Sequence, residues 1–496
     1  MGAFFVEIDF ASGTKKFGEV ALQTATGTVL PFLIDVNVNR AMDFTERRWE
    51  NSTATITLNN ETNYFTDLMD SSDKFIKGIG CRVYSDTTNI FTGNIYDTPQ
   101  SDDSEFIILA DSKTQGLEKI INKKITKTEF PNCPDINAGK YSNIIFGFAS
   151  DEGENETGIL TAYKVDTKKY LAAWHWLQGF ESPYIDTQVF NSSEANITAS
   201  SSFDNNADGN AYIITSVDQG DEISFNSHGY IDAGLNYITN PAGQLGELNT
   251  NFGNYFVFKG IGPASAIYDD RGYNINSMVI DNNISWGEFF KRFAENFDCY
   301  FWQKVGGKIG IKVLNWGNET IDSKITENYV TNFRNWRDME NIITQYQRKY
   351  WYHYRKTFFH RLPSNIFAGT GWEANEGSLD LRYNRDNVIT TDIATRLLFF
   401  TKNPLIYYKF SLPYFKGLDV DIADTLELRT YRGYYPYQER LILVTQKKVV
   451  NKTNLIEFEA IDINGINDGL LQLWSDNDSR VVTLKEESDP DCNVLL

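Results

Sequence analysis

The side chains able to do acid–base, nucleophilic or metal chemistry are few and scattered. The 496 residues include four histidines, His175, His228, His353 and His360. His175 stands in Trp174-His175-Trp176 and reads as a packing position in an aromatic segment. His353 and His360, in Tyr-rich sequence, match no zinc spacing and are expected at the surface or in cross-strand packing. The cysteines Cys81, Cys133, Cys299 and Cys492 lie far apart, with no C-x-x-C pair and no nucleophile signature. They form neither a zinc site nor a dense disulfide framework. No G-x-S-x-G elbow, H-E-x-x-H or P-loop occurs. A glycosidase pair could be drawn from any of the 66 Asp and Glu residues, so their number selects none. No catalytic, cofactor-binding or metal residue is assigned, and the chain is expected not to be an enzyme.

One spacing has a metal-binding form. Asp204-Asn205-Asn206-Ala207-Asp208-Gly209 matches the opening of a calcium loop, with oxygen ligands on alternate residues and a glycine for the turn. The acid expected at the twelfth position is replaced by Thr215. An Asn/Asp-rich surface turn is the plainer expectation, and a calcium-stabilised loop the sharper one.

A length of 496 residues at roughly 150 per domain predicts about three domains. With 46 Lys and Arg against 66 Asp and Glu, the net charge is −20. That balance argues against specific nucleic-acid binding and against anionic membrane surfaces. No run is long enough for a transmembrane helix, so no stable membrane insertion is expected. The opening MGAFFVEIDFASG lacks the pattern of a signal peptide, and synthesis in a cytoplasm is expected. Sequons such as those at Asn51 and Asn196 then follow from an Asn-rich composition. The 34 Phe, 27 Tyr and 10 Trp supply apolar surface for several cores.

The pattern along the chain is mainly β. Period-two alternation predicts strands at 5–10, 29–40, 54–58, 80–85, 89–96 and 105–111, with a short helix around 115–121. Many short strands with turns between them argue a β-barrel or sandwich over 1–125. Residues 126–330 read as an α+β middle region. It holds strands at 143–148 and 159–165, and a loop-rich Asn/Ser/Gly insertion at about 190–253 with a few strands such as 211–215. A helix starts after Ser285, whose spacing to Glu288 is that of a capping box. Trp286, Phe289, Phe290, Phe293, Ala294 and Phe297 make its apolar stripe, and a hairpin turning at Gly306-Gly307 follows. Residues 331–475 return to β with strands at 405–412, 425–430, 439–450 and 454–462 and a short helix over 391–400. A polar tail occupies 476–496.

Several of these elements carry a resemblance. The run Thr53 to Asn59, then Gly78 to Tyr84, Phe91-Thr92-Gly93-Asn94-Ile95 and Leu109-Ala110-Asp111 resembles the first domain of phage tail and baseplate hub proteins. Phe130-Pro131-Asn132 with Gly139 to Gly147 is similar to that family's linker into its second domain. Gly417 to Leu428 with Arg440 to Asp462 resembles its closing barrel, except that Ala423-Asp424 stands where the family has a Gly-Asp turn. The resemblance implies two tube-like β-barrel domains flanking the α+β middle region. It also implies a homotrimer of the virion, or of a related injection machine, whose six barrels adapt a six-fold tail tube to a three-fold tip. The implied partners are the tail tube or a distal tail protein above, a spike, tip or fibre protein below, and a tape-measure protein. An acidic lumen that repels DNA would fit the charge of −20. The alternative is a peripheral tail protein whose insertion and exposed aromatics bind or hydrolyse cell-surface glycan.

Overall fold

A computed structural model describes residues 4–463 apart from 25–26, 45–46, 50, 70–76, 100–103, 113–115, 150–158, 186–187, 190–200, 206, 217, 232–236, 275, 316–318, 339–341, 351, 354–357, 360–364, 368–374, 403 and 431–437. The first third forms β1 (Phe4–Phe10), β2 (Gly13–Gly18), β3 (Leu22–Thr24), β4 (Gly27–Leu30), β5 (Leu33–Asp43), β6 (Arg48–Trp49), β7 (Thr53–Asn59), α1 (Tyr64–Met69), β8 (Gly80–Ser85), β9 (Thr88–Asp97) and β10 (Glu105–Asp111). The middle forms β11 (Ile144–Ala149), β12 (Leu160–Asp166), β13 (Lys169–Ala173), β14 (Leu177–Ile185), β15 (Gln188–Val189), β16 (Ser201–Asn205), β17 (Ala211–Thr215) and β18 (Glu222–Tyr230). It continues through α2 (Pro241–Asn251), β19 (Phe258–Lys259), α3 (Ile261–Asp270), β20 (Ser277–Ile280), α4 (Trp286–Phe297), β21 (Cys299–Gln303) and β22 (Ile309–Val313). The last part forms β23 (Ser323–Thr326), β24 (Thr331–Asp338), β25 (Gln345–Tyr350), β26 (Tyr352–His353), β27 (Phe358–Phe359), β28 (Asn365–Phe367), β29 (Glu376–Leu381), α5 (Asn387–Thr401), β30 (Leu405–Pro413), α6 (Tyr414–Gly417), β31 (Thr425–Thr430), β32 (Gln438–Val450) and β33 (Leu455–Asp462).

The class is mainly β, as the alternation predicts. The two β-rich ends, expected as separate barrels, share one 16-stranded sheet whose main path is β24-β30-β33-β32-β5-β7-β10-β9-β8-β1-β2-β4-β3, with β6 pairing β5, β31 pairing β32 and β23 pairing β31 beside it. That order does not close on itself among the described residues. Alternation gives the sheet its two faces. In β1 and β10 every second side chain is buried, and the apolar set (Val6, Ile8, Phe106, Ile108) joins one core with Phe410, Leu412, Ile442, Ile456 and Phe458 from the far end of the chain.

The middle region has its own cores. Helix α4 lays its aromatic stripe against Tyr383 after β29 and against the β21–β22 hairpin, whose turn uses Gly306 and Gly307 at φ +82° and +75°. Ser285 caps α4 by accepting the Glu288 N–H at 3.3 Å. Glu288 itself turns to Arg292 one helical turn on, so the Ser285 half of the expected capping box is formed.

Three expectations change. Residues 116–121 form turns and not a helix. Leu117 and Lys119 offer their carbonyls to the free Gly287 and Trp286 N–H groups at the start of α4. That use of the backbone removes it from a helix; Gln115 lies outside the described residues. The strand expected over 29–40 is broken at Pro31, giving β4 and β5. The 190–253 stretch is no loop-rich appendage where it is described. Its β18 lies within the nine-stranded sheet, pairing with β14, β12 and β11, and its last eleven residues before Phe252 are α2. The polar β18 residues that suggested a loop are buried and bonded. Asn226 accepts the Ile159 N–H at 3.1 Å and Ser227 donates to Gly179 O at 2.9 Å. Asn240 caps α2 ahead of Pro241, a start signal present in the sequence.

The Phe91-Thr92-Gly93 motif has a steric cause. A Cβ on Gly93 would lie 2.3 Å from the Asp111 carbonyl oxygen and 2.6 Å from Phe91 Cζ, where β9 passes the register shift of β10. Gly93→Ala is expected to lower the unfolding free energy by about 1–3 kcal/mol, read as a lower urea midpoint with unchanged slope; an unchanged midpoint would refute the close approach.

Candidate functional site

The feature that organises the large sheet is the antiparallel pairing of β5 with β32, which joins Asn37–Ala41 to Gln446–Val450. Its side-chain partners differ on the two faces. Outward, Gln446 donates to Asn39 Oδ1 at 2.8 Å. Inward, Val38 faces Val449 and Arg40 faces Lys447, all buried.

Because residues paired across strands share a face, the registers define one transverse row. It runs Ser411, Glu457, Lys448, Asn39, Thr53, Asp111, Asn94 and Gly80 on consecutive strands from β30 to β8. No apolar side chain interrupts it. A groove of about 350 Å³ follows this face across the seam, lined by Asn37, Thr55, Gln446, Lys448 and Glu457 among others. Its charges are matched: Lys409 binds Glu459 at 2.7 Å, and further along Lys16 binds Glu7 at 2.7 Å and Arg82 binds Asp9 at 2.6 Å. Burial raises the Glu7 carboxyl, and its bonds to Lys16 and Arg82 outweigh that and hold it below the usual range. The face is hydrophilic and ion-paired.

Beneath the seam, cations are buried against backbone carbonyls. Lys447 Nζ donates to Leu418 O at 2.7 Å and Val420 O at 2.6 Å, and burial lowers its pKa to about 8. Arg40 binds Asp421 at 2.7 Å and donates to Gln303 O at 2.8 Å, tying β5 to the hairpin of the middle region. Ala423, where the resembled turn has glycine, takes φ +65°, the left-handed conformation that glycine enters freely. Lys312 donates to its carbonyl at 2.7 Å. Asp424, next to Ala423, is pushed up to about 6 by burial.

A second tie lies at the end of α4. Arg47, also at positive φ, donates to Ala294 O at 3.0 Å and binds Asp298 at 2.7 Å, while Arg271 approaches the same carboxylate at 3.6 Å. All three side chains are buried. The ring of Tyr300 stacks on Phe44. Arg40, Arg47 and Lys447 were not singled out by sequence reasoning; a basic residue in an alternating strand, as Arg40 and Lys447 are, or in a turn, as Arg47 is, reads as solvent-facing, and only the packed structure shows otherwise.

The residues that the sequence did single out come out apart from one another. His175 is buried, accepts the Ile145 N–H through Nε2 at 2.7 Å, and places Nδ1 2.8 Å from Trp176 O, packed beside the rings of Phe146 and Tyr230. Burial lowers its pKa to about 4. His228 packs on Phe148 in β18. His353 lies in β26, while His360 and Cys492 are outside the described residues. Cys81 and Cys299 are buried thiols pushed up to about 12 by burial, and burial also raises Cys133, so none of the three is poised as a thiolate. In the 204–209 stretch Asn205 is spent on Leu177, bonding both its N–H and its carbonyl. Asp208 accepts from Tyr212 at 2.6 Å and from the Asn210 N–H at 2.9 Å; Asn206 is outside the described residues. These bonds are those of a hairpin turn between β16 and β17.

No protein-family model and no curated protein matches the sequence. Among solved structures, the chain is similar to the tail protein from Neisseria meningitidis MC58 (7% identity, 93% of this chain and 97% of that one, TM-score 0.47). It is also similar to the 43 kDa tail protein of prophage MuSo2 from Shewanella oneidensis (8% identity, 94% and 98%, TM-score 0.43). A third similar structure is the prophage tail protein gp18 from Listeria monocytogenes EGD-e (8% identity, 95% and 97%, TM-score 0.43).

Two outcomes follow from this geometry. Arg47→Met, which leaves Asp298 buried with a single more distant cation, is expected to cost about 3 kcal/mol in chemical denaturation; a loss within experimental error would show that Arg271 suffices. His175 must stay neutral to accept the Ile145 N–H. With a folded pKa below the unfolded value of 6.5, its contribution is complete above pH 6.5 and lost as pH falls toward 4. The stability difference between wild type and His175→Phe should shrink by roughly 3 kcal/mol between pH 7 and pH 4. A pH-independent difference would contradict it.

Proposed function

We propose that this protein is a structural tail component, a trimeric hub that adapts a six-fold tail tube to a three-fold tip or spike. The observation that carries this reading is the β5–β32 seam. Residues 1–125 and 331–475 are taken as the two tube-like domains. Joined by backbone hydrogen bonds, they present one continuous hydrophilic row, so a single chain supplies two adjacent stations of a wall. Three such chains supply six. The motifs of the resemblance support the same reading, since Gly93 and the left-handed Ala423 each stand at a turn or close approach that the fold requires.

With the polar row toward the lumen, the passage is lined by amides, hydroxyls and paired charges, a surface with little affinity for either strongly charged or apolar cargo. The middle region, residues 126–330, is held to this wall by Arg40 and Arg47, and in this reading it is the part that meets the neighbouring tail proteins. Partners above and below, a tube or distal tail protein and a spike, tip or fibre protein, belong to this proposal, as does the virion as its location. The described aromatics mostly face cores, which disfavours a glycan-binding role.

Light scattering across a range of concentrations tests the assembly. A molar mass of three chains with ring-shaped particles in negative stain is expected; a monomer at every concentration, alone and with its tail neighbours present, would overturn the hub.

A further inference from the structure

A second cavity lies away from the polar row, where the end of β20, helix α4, the residues after β29 and strand β26 meet. Its volume is about 170 Å³, room for a group of a few heavy atoms. Val279, Ile280 and Ile284 give it an apolar floor, and Asp281, Arg292 and Arg382 bring three charges to its wall. An apolar wall with a few convergent polar groups is the usual form of a small-ligand site. The two guanidiniums are held in place. Arg292 binds Glu288 one helical turn back, and Arg382 binds Asp380 through Nε at 3.1 Å while lying 4.8 Å over the Tyr352 ring. They are 28% and 22% exposed, whereas Glu288 and Asp380 are 52% and 37% exposed and do not line the cavity.

The charges select the ligand. Glu288 and Asp380 balance Arg292 and Arg382, so Asp281 carries the excess charge. Burial raises its carboxyl to about 6, and its own backbone N–H with the attraction of Arg382 and Arg292 offsets only part of that rise. The other ionisable groups facing it are the phenols of Tyr352 and Tyr383, both raised by burial and so neutral. We propose that this cavity binds a carboxylate on a short apolar stem, with Arg292 and Arg382 facing the anion and Asp281 holding one proton between the two carboxyl groups. A cation would meet two guanidiniums, and a second carboxylate is admitted beside Asp281 only when a proton serves both. Above pH 6 that proton is taken from solvent on binding, so affinity falls as pH rises; at lower pH Asp281 already holds it. A free short-chain acid and an acidic side chain presented by another protein share this chemistry. Every wall residue belongs to one chain, so the inference does not depend on the number of copies.

The test titrates the full chain with propionate and, separately, with a capped glutamate, N-acetylglutamate methylamide. Ligand NMR line widths are followed at pH 5.5 and pH 7.5 and constant ionic strength, with melting temperature as the check of folding. Wild type is expected to bind saturably at pH 5.5 and at least tenfold more weakly at pH 7.5. Asp281→Asn, which fixes the uncharged state, is expected to bind equally at both pH values. Arg292→Gln is expected to lose binding at both; should it fail to fold, Asp281→Asn decides alone. No saturable binding of either probe at pH 5.5 overturns the site. Wild-type binding that ignores pH, or a pH dependence that survives in Asp281→Asn, overturns the shared proton and the proposal with it. A folded Arg292→Gln that binds like wild type does the same. Tighter binding of the capped glutamate identifies a protein side chain as the source and tighter binding of propionate a free acid, and both uphold the site.

Discussion

The pairing of β5 with β32 is the constraint on which the remaining structure depends. It brings together residues separated by 407 positions, as in the bond from Gln446 to Asn39. Closing so long a loop costs conformational entropy that a few backbone hydrogen bonds do not offset. The offset comes from the shared core beneath, where Val6, Ile56 and Phe106 from one end of the chain pack in one cluster with Phe410, Ile456 and Phe458 from the other. The seam and the core are therefore one cooperative object. A chain with two independent barrels could change their relative angle, whereas one with a common sheet holds both in register.

The buried cations follow from the same geometry. Once β5 and β32 are adjacent, Arg40 and Lys447 must face inward, since their neighbours Val38 and Val449 do. A charge placed there is tolerated only with acceptors around it, and the turn after α6 supplies them through the carbonyls of Leu418 and Val420 and the carboxylate of Asp421. The left-handed Ala423 bends the chain so that this turn reaches the seam. Arg47 works in the same way at the end of α4. The middle region is thus attached to the sheet by directional charged contacts as well as by apolar packing, which fixes one orientation and disfavours sliding.

Legibility in the sequence varied with the kind of information each element needs. Strands β1, β7, β8 and β10 alternate cleanly, and α4 carries a complete aromatic stripe behind Ser285, so local pattern suffices for them. The segment 116–121 misled because its backbone serves another element, the start of α4, which no window of local residues includes. β18 misled because Ser224, Asn226 and Ser227 are polar and yet buried, and Asn226 and Ser227 are satisfied by partners far along the chain. The 204–209 stretch shows the reverse case: a ligand-like spacing in which Asn205 is taken by Leu177 and Asp208 by Asn210 and Tyr212.

What the sequence by itself determined is the mainly β class, the position of most strands and of the α4 helix, and the absence of a recognisable catalytic motif. Period and composition are properties of neighbouring residues, and they act before the chain has closed. The joining of first and last thirds into one sheet, the polar row that crosses their seam, and the burial of Arg40, Arg47 and Lys447 were decided only by tertiary structure. Each depends on which strand lies beside which, and strand adjacency over several hundred residues leaves no local trace in hydrophobic period or charge.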